Sequence, residues 1–205
     1  MKHRSLAFAT LFALAIAPVL AGRSSETAAM GQPAPVWSLS DQAGKTHNLA
    51  NYKGKFVVLE WYNKDCPFVK KHYGGGNMQK LQKWAKDKGV VWLTVISSKE
   101  GKQGYLTADQ AKEVMKEQRM ESAAILFDTP GTVGKAYGAK TTPHMYIVDP
   151  KGLLIYNGGI DDKATPNPGD IASSRNHVKE ALEEAMAGKQ VSVQTSQPYG
   201  CSVKY

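Results

Sequence analysis

Cysteine is nearly absent from this chain, with 2 in 205 residues. That excludes a disulfide-stapled miniprotein. It also falls short of a structural zinc cluster, yet it is the minimum for one redox pair. Low-complexity runs and internal repeats are lacking. So are the repeated apolar segments of about 20 residues that a multi-span membrane protein needs. What remains is a chain of one-domain length, 42% apolar and 21% charged, with enough residues to bury a core. The formal charge of +8 is spread along the chain without aromatic interleaving. It therefore reads as a solvated basic surface and not as a nucleic-acid stripe.

The first 21 residues have the form of an export signal. Lys2, His3 and Arg4 precede an apolar stretch from Leu6 to Val19, and Val19-Leu20-Ala21 offers a cleavage site. Cleavage after Ala21 would remove Lys2 and Arg4 and take the charge from +8 to +6. The expected location is the periplasm or the exterior, an oxidising setting in which a cysteine pair persists as a disulfide. No membrane association is expected once the signal is removed.

Beyond it the sequence divides into a flexible lead-in (22–30), one domain (31–187) and a tail (188–205). Val36–Ser40 and Lys45–Leu49 read as two strands around the turn Asp41-Gln42-Ala43-Gly44. The near-continuous apolar run Phe56–Tyr62 predicts a strand buried on both faces, and Val90–Ile96 predicts a second. Helices are expected after Asn77 and after Thr107, each read as a cap, and around Ser174–Ala187. Ala124–Phe127, Met145–Val148 and Leu153–Tyr156 complete the strands, the last two joined by the turn Asp149-Pro150-Lys151-Gly152. This alternation predicts an α/β fold with a mixed sheet. Gly131-Thr132-Val133-Gly134-Lys135 superficially resembles a phosphate loop but has the wrong spacing and lacks the following Ser or Thr.

One position concentrates the chemistry. Cys66-Pro67 follows the loop after the 56–62 strand, and Phe68–Tyr73 can begin a helix with Pro67 in its first turn. A sulfur at that point faces unpaired helix N–H groups and the positive end of the dipole, both of which favour thiolate. Lys64, Lys70, Lys71 and His72 add positive charge nearby. Cys201 is the sole intramolecular partner for Cys66. A bond between them would restrict the unfolded chain by roughly 5 kcal/mol in the entropy model. Redox-active pair, structural disulfide, metal ligation and pairing of Cys201 between chains all remain open at this point. The five histidines show no metal-ligand spacing, so neither a metal nor a cofactor is expected.

Gly31, Ala34-Pro35, Trp37, Gly44-Lys45, Gly54-Lys55 and Val57-Val58-Leu59 resemble the opening of redoxin-type proteins. These comprise the AhpC/TSA (peroxiredoxin-like) proteins and the secreted thiol–disulfide oxidoreductases. The resemblance covers about residues 31–160. It implies a thioredoxin-like fold, a central mixed sheet flanked by helices, with an N-terminal β-hairpin and an inserted helix. It further implies that Thr142-Pro143 forms the cis-proline loop lying against the active-site cysteine, and that Glu60 is the family's buried acid. The sequence departs from both branches. Val69 stands where thioredoxins carry their second cysteine. Asn63 and Leu59 stand where peroxiredoxins carry Thr or Ser and Pro, although Asn63 could still donate to a bound oxygen. A resolving cysteine on a movable tail, as in many peroxiredoxins, would suit Cys201. The site set is thus Cys66 and Cys201, supported by Glu60, Asn63, Pro67, Thr142 and Pro143.

Three functions fit. The first is an exported thiol–disulfide oxidoreductase acting on a protein thiol or disulfide. The second is a peroxidase acting on a small hydroperoxide. Both would use an external thiol reductant. The third is a non-enzymatic binding module with a structural Cys66–Cys201 disulfide. The oligomeric state is open.

Overall fold

The computed structural model describes residues 27–205. The expected signal 1–21 and the start of the lead-in lie outside the described residues. The strands are β1 (Ser38–Asp41), β2 (Thr46–Asn48), β3 (Val57–Trp61), β4 (Val91–Ile96), β5 (Ala124–Phe127), β6 (Thr141–Thr142), β7 (His144–Val148), β8 (Leu154–Gly158) and β9 (Cys201–Ser202). The helices are α1 (Pro67–Gly74), α2 (Asn77–Asp87), α3 (Ala108–Glu117), α4 (Thr132–Tyr137) and α5 (His177–Met186).

Seven strands form one sheet in the order β2-β1-β5-β4-β3-β7-β8, and β6 pairs with β9 apart from it. The pairs β3–β4 and β4–β5 are parallel, while β3–β7, β7–β8, β1–β5 and β1–β2 are antiparallel. The sheet is therefore mixed, and helices cover both faces. Among the described residues no helix is long and apolar enough to cross a membrane.

The core follows from the period of two along β3. Val58 and Tyr62 point into a cluster with Val69 and Tyr73 of α1, Met78 and Leu81 of α2, Val114 of α3 and Leu182 of α5. Val57, Leu59 and Trp61 point the other way, to Val133 and Tyr137 of α4 and to Trp37. A strand clad on both faces leaves no position for a polar residue, which is why 56–62 reads as nearly unbroken apolar sequence. Glu60 is the exception, and it is fully buried.

Local signals were mostly obeyed. Thr107 caps α3 by accepting from the Gln110 N–H, with the reciprocal Gln110 contact completing a capping box. Asp149 Oδ1 accepts from the N–H groups of Lys151 and Leu153, tightening the β7–β8 turn. Two readings are corrected. Asn77 does not cap α2 but is its first residue; Gly76 is the cap residue, and the Asn77 amide turns back to His72 Nδ1 at 2.8 Å. The last helix is shorter than Ser174–Ala187, because Asn176 caps it by accepting from the Lys179 N–H and a 3-10 turn occupies Pro168–Ser173.

The segment 188–205, without period in sequence, is seated along much of its length. Val191 and Tyr199 are buried. Ser196 Oγ accepts from the Gly159 N–H at 2.9 Å, Val203 N–H donates to Lys140 O, and Tyr205 OH donates to Ala139 O at 2.7 Å. Glycines make room for it. A Cβ on Gly134 would sit 2.5 Å from Tyr205 OH, and one on Gly158 would sit 2.3 Å from Ser196 Oγ. The 131–135 stretch thus opens α4 and accommodates a tyrosine.

Candidate active site

Cys66 lies where the backbone enters α1. Asn63 shapes the approach, its Oδ1 accepting from the Asp65 N–H at 2.9 Å and its carbonyl from the Cys66 N–H at 3.1 Å. Pro67 occupies the first turn, where its missing N–H costs nothing. The Cys66 side chain is fully buried. As a thiol it donates to the Thr142 carbonyl at 3.0 Å. The Thr142–Pro143 peptide is cis, so the loop implied by the resemblance is where it was expected.

Cys201 reaches this point because β9 pairs antiparallel with β6, placing Cys201 opposite Thr142. Its backbone N–H lies 3.4 Å from Cys66 Sγ. Both cysteines are unbonded. The sequence expectation of a distant partner on a movable tail is thereby replaced by a partner already in place.

The two thiols are driven apart electrostatically. Burial pushes the Cys66 thiol up, but the neighbouring Cys201 thiol and N–H outweigh it and hold the group below the ordinary thiol range. The Val69 N–H of α1 adds a smaller pull, since Cys66 closes no full cap hydrogen bond. Burial, and then the neighbouring Cys66, push Cys201 up to about 11. Of the two, Cys66 is therefore the thiol that ionises first and Cys201 the one that keeps its proton longer.

Three of the four basic residues near Cys66 in sequence, Lys64, Lys71 and His72, have other partners. Lys64 pairs with Asp65 at 2.8 Å. Lys71 is fully buried and faces Asp161 at 3.4 Å. His72 is kept neutral, chiefly by burial, at about 4. His144 is likewise lowered by burial to about 4, and its ring nitrogens meet Asn157 Oδ1 at 2.8 Å and the Lys140 N–H at 3.2 Å. Among the described residues no group of three or more His, Cys, Asp or Glu is arranged to hold a metal ion.

Glu60 accepts from Trp92 Nε1 (2.8 Å), Tyr73 OH (2.9 Å) and Gln82 Nε2 (3.2 Å). Burial raises its carboxyl to about 7 against these three donors. A folded value above the unfolded one means the fold favours the protonated form. That contribution is complete below about pH 4.3 and is lost as pH rises through 7. Denaturant melts should lose about 4 kcal/mol at most from this group between pH 4 and 8. Glu60→Gln should flatten that slope; an unchanged slope would assign it to other groups.

Sequence reasoning missed Asp161, Ser196, Tyr199 and Tyr205, whose roles exist only once the tail is seated. The strongest available signal was the clustering of Tyr199, Gly200 and Cys201.

A sheet with this strand order, a cysteine at a helix start and a cis-proline beside it define a thioredoxin-like α/β protein. The chain belongs to the AhpC/TSA family, whose sequence profile matches residues 30–157. An uncharacterized conserved protein from Geobacillus kaustophilus is similar at 26% identity, TM-score 0.74, over 86% of this chain and 92% of that one. A hypothetical protein from Sinorhizobium meliloti 1021 is similar at 22% identity, TM-score 0.75, over 88% and 96%. The thioredoxin domain of a thiol-disulfide oxidoreductase from Bacteroides vulgatus shares the fold at 22% identity, TM-score 0.50, over 64% and 89%. No curated protein matches the sequence.

Proposed function

We propose that this chain is an exported thiol–disulfide oxidoreductase with Cys66 as nucleophile and Cys201 as resolving thiol. The observation that carries the reading is the contact of Cys201 with Cys66 Sγ, through its N–H at 3.4 Å, in a strand that pairs Cys201 with Thr142. Export rests on the sequence of residues 1–21 alone.

The Cys66 thiolate attacks one sulfur of a substrate disulfide, forming a mixed disulfide and releasing the other sulfur as a thiolate. Cys201 then gives up its proton to the leaving sulfur and attacks Cys66 Sγ, which releases the second substrate thiol. The substrate gains two electrons and the protein holds a Cys66–Cys201 disulfide. An external dithiol returns those electrons. Pro143 and Thr142 close the wall beside the sulfur, Pro67 starts the helix and Asn63 sets the turn that presents it.

Asn63 favours a second reading. It is buried, and its Nδ2 has no hydrogen-bond partner, so a donor is free near the Cys66 turn. A hydroperoxide oxygen would suit it. Cys66 would then become sulfenic acid as the peroxide leaves as alcohol, and condensation with Cys201 would expel water. Treating the reduced protein with hydrogen peroxide and, separately, with an oxidised dithiol decides between them. Fast formation of the Cys66–Cys201 bond by dithiol and slow formation by peroxide supports the oxidoreductase. The reverse supports the peroxidase. A bond that resists reduction until the protein unfolds overturns both and makes the pair structural.

A further inference from the structure

We propose that Tyr199, Asp161 and Lys71 are positioning residues, a buried latch that fixes the Cys201 strand against α1 and so sets the Cys66–Cys201 contact. Tyr199 stands two residues before Cys201, and Lys71 sits on the helix that Cys66 opens. Asp161 follows β8 and joins the two. Tyr199 OH donates to Asp161 Oδ1. Asp161 Oδ2 faces Lys71 Nζ at 3.4 Å, and that ammonium also donates to the Lys163 carbonyl at 2.7 Å. The ammonium lies 5.5 Å from the centroid of the Tyr199 ring.

His72 completes the set. Asn77 Nδ2 donates to its Nδ1 at 2.8 Å, which assigns the ring proton to Nε2, and Nε2 donates to the Tyr199 hydroxyl oxygen at 3.1 Å. Each linking atom from Asn77 Nδ2 through the His72 ring and the Tyr199 hydroxyl to the Asp161 carboxylate thus has a partner. The Lys71 and Asp161 side chains are 0% and 1% exposed.

Holding a tail down does not require this. Apolar residues of similar volume commonly do as well as a buried ion pair or better, whereas a fully partnered polar set admits a single arrangement. A phenylalanine at 199 would still pack against the Phe68 ring, whose centroid is 5.8 Å away. The hydroxyl adds direction. It fixes the strand relative to α1, and Gly200 then carries the backbone past the Thr142 carbonyl to Cys201.

The inference takes Cys201 as the partner of Cys66, as in the proposed function, but its test reads the thiol and not turnover. In the reduced full chain, iodoacetamide labelling of Cys66 is followed by peptide mass spectrometry from pH 5 to 10. Tyr199→Phe should speed labelling about tenfold and move its pH midpoint upward, because the hydrogen bond from the Cys201 N–H to Cys66 Sγ loosens. The glutathione equilibrium of the Cys66–Cys201 bond should shift about tenfold toward the thiols, about 30 mV. Tyr137→Phe, which removes a hydroxyl bound to Pro35 O at 2.9 Å on the other face of the sheet, should move none of these. The double replacement Lys71→Met with Asp161→Asn removes the pair without orphaning a charge and should behave like Tyr199→Phe.

Unchanged labelling, midpoint and equilibrium in both latch variants would overturn the proposal, whatever their melting temperatures. A chain that turned over no disulfide yet showed these shifts would keep the latch and lose the oxidoreductase reading.

Discussion

Serine in place of Cys66 is expected to abolish disulfide exchange, roughly a thousandfold or more below the native chain. A hydroxyl is not ionised near neutral pH and cannot form the mixed disulfide. Serine in place of Cys201 should act differently. The first attack survives, since the backbone N–H that lies 3.4 Å from Cys66 Sγ is unchanged. The second step has no thiol, so the mixed disulfide accumulates and turnover stops. Mass spectrometry after one equivalent of a linear disulfide such as oxidised glutathione distinguishes the two: no adduct for Cys66→Ser, a stable adduct at Cys66 for Cys201→Ser. The pH dependence has a definite sign. Cys66 is held below the ordinary thiol range, so the first attack should reach its plateau at lower pH than a free cysteine does. An adduct on Cys201 in the native chain, with Cys66 unreacted, would reverse the assigned roles.

Alanine at position 200 should be among the most damaging small substitutions outside the sheet. Gly200 has φ 131°, a region that L side chains avoid, and a Cβ there would lie 2.0 Å from the Thr142 carbonyl oxygen. That oxygen is backbone on the cis-proline loop and cannot swing aside as a side-chain end would. The strand must leave β6, with loss of the Thr142–Cys201 pairing. Strain at such a position is about 1–3 kcal/mol, and losing the pairing adds to it. The expected result is a lower melting temperature, protease cleavage appearing within 188–205 and faster alkylation of Cys66. A Gly200→Ala protein with native protease resistance and native Cys66 labelling would show that the close approach is relieved by backbone adjustment.

The elements legible from sequence are those whose cause is local or periodic. Phe56–Tyr62 revealed β3 because a strand clad on both faces tolerates almost no polar residue. Thr107 revealed the start of α3 because the cap needs only a residue three positions on, Gln110. Cys66-Pro67 marked a helix start for a similar reason. Other features had no local cause to read. Gly131 and Gly134 resembled parts of a phosphate loop, but their smallness answers to Tyr205, some seventy residues away, in a helix too short to show a period. Lys71 read as positive charge beside Cys66 because nothing near it in sequence indicates the buried Asp161 it faces.

The two cysteines divide along the same line. By itself the sequence determined that two thiols exist, that one begins a helix after a buried strand, and that a Thr-Pro loop of thioredoxin type lies downstream. Those are properties of short segments and of their order. The tertiary structure alone decided that Cys201 sits against Cys66, that the segment carrying it is seated and not loose, and that Cys66 is the more acidic thiol of the two. The physical reason is that a pKa and a contact depend on what surrounds a sulfur in space. Here that surrounding is β6, β9 and the α1 helix start, brought together from three separate parts of the chain.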